Sequence, residues 1–570
     1  MSLLSALQLG SSSLAAQQAG LAVTGNNISN ASTPGYTRET LDLVPSDPTT
    51  LQSGVQIGTG VSTQTINRAV NDALNGALNN ANSDQGAASS ASSTLQSLES
   101  TFGTLNSNDL ASQVQGFFNQ ASTVANNPTD TGQLAVMVQT GQSLAASIQT
   151  LRSQVVNVRN TTQLQIQSLA TQANTLVQSI ASLNGQISSI QGGGGGADTL
   201  MDQRDQAISQ LSQIMNVQTV NQGNGMVNLL VGSVPIVTGA TTRGIGTTTT
   251  TDPTGTMPQT NVVFADNGDQ LDATSGQIAG LVSARDNNIN GAIGTLDTLA
   301  YNLIGTVNSI SSQGQGLVGF SSVTGTSPVL NTNAPLNAGQ STTGLAYTPV
   351  NGTFNINVTD ATTGATTTQQ IQVNLGGTGA QTTLSSLAAS ITSGPIVASV
   401  NSNGTLSISS NNPDDTFTFS NDTSGALAAL GINTFFTGSN AANIGVNNVL
   451  VASPSLLATG RNNVPGSNDN AQALAQAYTA GNGGLGGLSL QSYYAQFSTN
   501  LASQSSAAKN NLTAQTAVQS ALNAQQQSYS GVSLDEEAVN LTKYQQAYQG
   551  TAQYINVVNT LMTALLAMIQ

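Results

Sequence analysis

Two narrow apolar stripes, one near each end of this chain, constrain its fold more than any other feature. Leu7, Leu14, Leu21 and Ile28 recur every seven residues and are joined by Leu3 and Leu4, which predicts a helix with one oily edge. At the other end, steps of three and four residues from Leu534 pass through Ala538, Leu541, Gln545, Tyr548, Ala552, Ile555, Asn559, Met562, Leu566 and Ile569, and nearly all of these are apolar. A helix cannot dry such a stripe by itself. Pairing the two ends, then packing the pairs against further copies, buries both. On this reading Leu7, Leu14, Leu21, Ile28, Leu541, Tyr548, Ile555, Met562, Leu566 and Ile569 form an assembly interface. The plain alternative is that both stripes pack inside one monomer.

Local signals bound these helices. Gly25-Asn26-Asn27 stops the first one there or within a few residues, because Gly and Asn favour the left-handed cap and Pro34 cannot continue a helix. Thr33-Pro34-Gly35-Tyr36 reads as a type II turn, so Asn30, Pro34, Gly35 and Tyr36 form a turn motif. Residues 36–66 then alternate as an extended or hairpin segment. Ser533 and Glu536 have capping-box spacing at the start of the last helix, and Asp535 and Glu537 add negative charge at the positive end of its dipole.

A chain of 570 residues exceeds what one core organises, so several domains are expected. From Ile148 to Ile190 apolar residues keep three- and four-residue steps without a proline, a rod of roughly 60 Å. Thr, Gly and Val alternate at 221–275 and again, with Phe and Ile, beyond 340. The expected fold is multidomain, α and α+β, with a discontinuous helical coiled-coil core from both termini and middle helices, and inserted β-rich outer domains. Residues 1–95 and 490–570 make the terminal assembly domain, and 96–220 with 276–335 a helical bundle. A small β insertion occupies 221–275, a β-rich outer domain 336–465, and a return linker 466–489.

Composition excludes much. With no Cys and no His there is no disulfide, no thiolate or imidazole chemistry and no zinc site of the usual kind. Lys and Arg total 10 against 25 Asp and Glu, and the ten are scattered from Arg38 to Lys543, so nothing forms a basic stripe for nucleic acid. No Lys or Arg precedes Arg38, which makes a poor secretory signal, and the apolar stretch 555–569 is too short to span a bilayer. Asp202, Arg204 and Asp205 read as charge pairing on an exposed helix. Gly192–Gly196 reads as a turn or hinge, since it lacks the Lys-Ser/Thr of a phosphate loop. Lys509 and Lys543 lie in helical pattern with no Ser partner motif. No enzyme, metal or cofactor is expected.

The run from Gly25 through Asn30, Pro34, Gly35 and Tyr36 to Thr37-Arg38 resembles the N-terminal signature of bacterial flagellar axial proteins, and its Tyr-Thr-Arg ending is most similar to the hook-associated protein 1 (FlgK) family. Met201–Asp205, Gly280–Asp286, and Leu534–Leu541 with Lys543–Tyr548 agree, in the same order along the chain. A His that often follows the Ser-Gln in this family is absent at Ser312-Gln313-Gly314. The resemblance implies a non-enzymatic subunit, exported by the flagellar type III apparatus without a cleaved signal. It would assemble as a homo-oligomeric ring on the distal end of the hook, between hook protein and a second junction protein next to the filament. It also implies an export chaperone at the C-terminal helix, roughly Leu534 to Ile569. Another axial protein, hook or flagellin-like, or a secreted adhesin are the alternatives.

Overall fold

The computed structural model describes residues 3–50, 56–103, 109–252, 255, 257–377, 379–392, 394–461, 464 and 466–569. Residues 51–55 of the expected extended segment lie outside these, as do 378, 393, 462, 463 and 465 of the expected outer region and the side chain of Ile569. The chain divides into two compact units, each discontinuous in sequence. One comprises Met1–Ser93, Thr162–Ala284 and Ala507–Gln570; the other comprises Thr94–Thr161 and Arg285–Ser506.

The first unit contains both terminal helices, Leu3–Asn30 and Leu534–Ile569, which pack together. Strand Glu39–Pro45 pairs antiparallel with Val61–Arg68, so the segment after the first helix is a hairpin. A helical layer follows. Gln519 donates to Asn82 Oδ1 at 2.8 Å and Gln526 to Asn75 Oδ1 at 3.0 Å, so amide pairs stitch helices Asp72–Phe102 and Leu490–Ser530 along their parts in this unit. Helix Asp198–Ile214 packs its Ile208, Leu211 and Ile214 into a core shared with Ile166, Ala173, Val177 and Ile180 of Thr131–Gly192. Onto that core fold a four-stranded antiparallel sheet over 218–242 and the hairpin Ile245–Thr251/Pro258–Phe264. Val227, Leu229 and Val231 alternate inward along their strand and Phe264 joins them in the core, whereas Thr247 to Thr251 are exposed on both faces of their hairpin.

The second unit has helices and sheets. Helix Leu110–Asn126 is capped by Asp109, whose carboxylate accepts from the Ser112 amide at 2.9 Å. Its Phe117 packs 5.2 Å from Phe435 and 5.4 Å from Phe436, ring to ring. Arg152 grips Asp297 of helix Asn290–Ser311 through two bonds of 2.8 and 3.1 Å. Two three-stranded antiparallel sheets complete the unit. One orders Thr366–Val373, Gly352–Thr359, Thr416–Ser420; the other orders Ser322–Thr324, Leu406–Ser410, Ile396–Val400. Phe354, Ile356, Phe417 and Phe419 fill the core between them with Leu384, Leu387 and Ile391 of the short helix Leu384–Ile391.

Two features differ from the sequence reading. A π-helical turn, Ala284–Ile289, separates Gln277–Ser283 from Asn290–Ser311, an interruption that the reading of 276–335 as helical bundle does not contain. In that turn the Arg285 side chain is buried and donates twice to the Asp286 carboxylate, at 2.7 and 3.0 Å. Unit boundaries also fall inside Asp72–Phe102, Thr131–Gly192 and Leu490–Ser530, not at the shifts in composition near 220, 275 and 335. A helix keeps its period where its packing partner changes, so such a boundary leaves no mark on the pattern.

Candidate assembly interface

The N-terminal helix approaches the C-terminal one through its smallest residues. Its buried positions are Gly10, Ala16, Gly20, Val23, Thr24 and Asn27. A Cβ placed on Gly10 would stand 2.7 Å from Ile555 Cγ1, and one on Gly20 only 2.6 Å from the Tyr544 ring. The glycines thus admit the partner's large side chains against bare backbone. Glycine costs a helix interior about 1 kcal/mol against alanine, and close approach is what offsets it here.

Opposite them, the covered face of the C-terminal helix alternates steps of four and three: Glu537, Leu541, Tyr544, Tyr548, Thr551, Ile555, Val558, Met562. Glu537 and Val558 are buried and the rest half-buried. Leu541, Tyr548, Ile555 and Met562 of the expected interface lie on this face. The companion positions differ from the sequence ladder, which runs through Ala538, Gln545 and Asn559; these three are exposed. Leu7, Leu14, Leu21 and Ile28 are half-buried, each beside the small-residue seam, and Leu566 is 60% exposed.

The turn motif connects the first helix to the rest of the unit. The helix runs to Asn30, whose amide donates to the Asn26 carbonyl and Oδ1, at 3.0 and 2.9 Å, while Thr33 Oγ1 donates to Asn30 Oδ1. The Tyr36 amide reaches the Thr33 carbonyl at 3.2 Å and Gly35 takes a φ of 81°, the left-handed value that a type II turn requires at that position. Pro34 is exposed. Asn27 then bridges helix to strand: its Oδ1 accepts from the Tyr36 hydroxyl at 2.8 Å and the Glu39 amide at 2.9 Å, and its Nδ2 donates to the Glu39 carbonyl.

Charges lock the same place. Arg68 donates to Asp202 at 2.6 Å and Asp205 at 3.0 Å, and the Thr37 amide donates to Asp202 at 3.1 Å. Arg38 pairs with Glu536 at 2.8 Å, and its amide donates to the Ser530 carbonyl. Burial first, then the nearby Glu39 and Asp202 charges, push the Tyr36 hydroxyl well above its ordinary range. Burial likewise raises the Glu39 carboxyl, which the Asn26 amide partly offsets, and the Asp198 carboxyl, which Arg68 opposes and Asp202 reinforces.

Two readings are corrected by this geometry. Asp202, Arg204 and Asp205 are not a lattice on an exposed helix: Arg204 is buried, donates to the Gly225 carbonyl at 2.7 Å, and shares Asp205 with Arg68. The capping box at Ser533 is only half formed. The Glu536 amide lies 3.5 Å from Ser533 Oγ, but the Glu536 carboxylate goes to Arg38 instead of back to the cap. Arg38 offers the carboxylate a full positive charge, whereas the cap amide offers only a dipole.

Among the described residues no acidic cluster has the geometry to hold a metal ion, and no helix is long and apolar enough to cross a membrane. Three family descriptions match the chain: "Flagella basal body rod protein" at residues 7–37, "Flagellar hook-associated protein FlgK helical domain" at 95–326, and "Flagellar basal body rod FlgEFG protein C-terminal" at 524–568. Flagellar hook-associated protein 1 of Escherichia coli (strain K12) is 27% identical over 97% of this chain and 98% of its own length. The Salmonella typhimurium protein of the same name is also 27% identical, with the same coverage of both chains. From end to end the chain is similar to flagellar hook-associated protein 1.

The chain also shares a fold with the solved flagellar hook junction protein of Burkholderia pseudomallei, at a TM-score of 0.51 and 19% identity, over 80% of this chain and all of that one. The family is structural and flagellar, not enzymatic. The rod-type matches fall on the two terminal helices that pack together. Sequence reasoning missed Gly10, Gly20, Tyr544, Glu537 and Arg68. The glycines carried a signal, since they recur inside an otherwise uninterrupted helix; Arg68 carried none, because its partners lie far along the chain.

Proposed function

We infer that this chain is an axial structural subunit of the bacterial flagellum, forming the junction between hook and filament and assembling with hook and filament subunits. The supporting observation is the match to hook-associated protein 1 from end to end, joined to a terminal helix pair that leaves large apolar side chains exposed, Leu4 at 71%, Leu561 at 53% and Met568 at 86%. Such a surface is stable in water only as an interaction site.

The finer reading is that copies form a ring on the distal end of the hook, next to a second junction protein, after type III export with a chaperone on Leu534 to Ile569. Residues 1–95 and 490–570 act as the assembly domain, with Leu7, Leu14, Leu21, Ile28, Leu541, Tyr548, Ile555, Met562 and Leu566 at or beside its seams. The middle helices form the next layer and 336–465 the outer part. Asn30, Pro34, Gly35 and Tyr36 set the angle at which the first helix leaves the hairpin.

The test is genetic and direct. Cells lacking the chain are expected to carry hooks without filaments and to shed filament protein into the medium, and immuno-electron microscopy should place the restored chain at the hook tip. Normal filaments in the deletion strain would overturn the assignment.

A further inference from the structure

The C-terminal helix has three sectors, and the intramolecular pairing accounts for only one. Thr542, Gln549, Gln553, Asn556, Thr560 and Thr563 make a polar sector, suited to water. A second apolar stripe lies between that sector and the covered face, roughly a quarter turn from the latter. It comprises Val539 at 68%, Tyr554 at 38%, Val557 at 58%, Leu561 at 53%, Leu565 at 49% and Met568 at 86% exposed. Lys543 sits in line with it and is exposed, and Gly550 interrupts it with open space above.

The ionic pattern says what fits there. Every arginine of the chain donates to a carboxylate or an asparagine, whereas among the described residues neither Lys509 nor Lys543 forms an ion pair. Lys509 stands among Ala and Asn; Lys543 stands on the apolar stripe. The surface is otherwise acidic, with a net charge of -15. On the same helix Asp535 is exposed and forms no ion pair, yet it lies roughly 12 Å along the axis from Lys543, beyond reach within one helix.

We propose that this second stripe seats against the C-terminal helix of a neighbouring copy, shifted along the axis so that Lys543 of one copy meets Asp535 of the next. The inference rests on the axial-subunit reading above and adds the contact that sets register between copies. The contact is heterologous, each copy using a different patch on its two sides, as a ring needs. Buried apolar area supplies the adhesion, and the single ion pair supplies register and direction.

The absence of native cysteine makes the test clean. Asp535→Cys and Lys543→Cys are placed in one chain and expressed in cells lacking the wild type, and isolated hooks are mildly oxidised. A disulfide needs Cα atoms within about 7 Å, so the two sites cannot join within one helix. A ladder of dimers and higher multimers on a non-reducing gel is expected. Chain present in hooks but running only as monomer overturns the proposal and leaves the junction assignment standing; wild-type chain missing from hooks overturns both. A charge swap guards against failed assembly of the cysteine variant. Lys543→Glu should still be exported but reach hooks at least tenfold less, and Lys543→Glu with Asp535→Lys should restore incorporation to within about twofold. A swap no better than the single change, or loss of export itself, counts against a contact between copies.

Discussion

Replacing Arg68 by Met tests the ionic lock that joins the hairpin to helix Asp198–Ile214. Methionine keeps an unbranched stem and removes the guanidinium, with its charge and its hydrogen-bond donors. Arg68 is 10% exposed at its side chain, Asp202 12% and Asp205 33%, so one carboxylate is left nearly buried without its cation. Breaking a fully buried pair costs about 3–5 kcal/mol. The lower end applies here, about 3 kcal/mol, because Asp202 keeps the Thr37 amide and Asp205 keeps Arg204. Urea unfolding followed by circular dichroism, with hydrogen exchange resolved by peptide, should show the loss in peptides from 198–214 and 39–68. Asp202→Asn in the Arg68→Met background should cost much less than the two changes summed. A further sign is pH: without Arg68 the Asp198 carboxyl rises higher still, the folded state binds its proton more readily than the unfolded one, and the deficit shrinks as pH falls toward about 4. A loss below about 1 kcal/mol, or full additivity of the pair, would refute the argument.

Further expectations concern the same unit. Asp198→Asn should stabilise the wild-type chain at pH 7 and lose that advantage below the ordinary aspartate range, because burial raises the folded carboxyl and penalises its charged form; thermal melts at several pH values would read this out. Gly20→Val should cost about 1–3 kcal/mol by driving a side chain into the Tyr544 ring, seen as faster amide exchange across 534–568; unchanged exchange would contradict the close packing. Ile555→Asp and Leu566→Asp should differ. The first, against Gly10, should weaken the helix pair in the monomer, whereas the second, largely exposed, should leave the monomer intact and reduce incorporation into hooks. Equal loss of exchange protection in both monomers would argue against the division of faces.

The elements were largely legible along the chain because each is a local matter. Thr33-Pro34-Gly35-Tyr36 could hardly be other than a turn, and the uninterrupted apolar steps from Ile148 to Ile190 lie within one helix, Thr131–Gly192. The seams were legible by halves. Leu541, Tyr548, Ile555 and Met562 announce themselves by apolarity, but their companions Glu537, Tyr544 and Thr551 do not, so the ladder drifted to Ala538 and Gln545. Glu536 satisfied a local rule in the sequence and a longer-range one in the fold, where Arg38 was the stronger partner.

The sequence by itself determined where helices and strands form, that cysteine and histidine chemistry is absent, and that both ends carry more apolar surface than a lone helix can bury. These follow from residue type and spacing, which act over one or two turns. Only the tertiary structure decided which face of each terminal helix meets the other, why Gly10 and Gly20 occupy a helix, and that Arg68, Asp202 and Asp205 form one half-buried lock. Those outcomes depend on groups more than a hundred residues apart coming within 3 Å, and no local pattern records that distance.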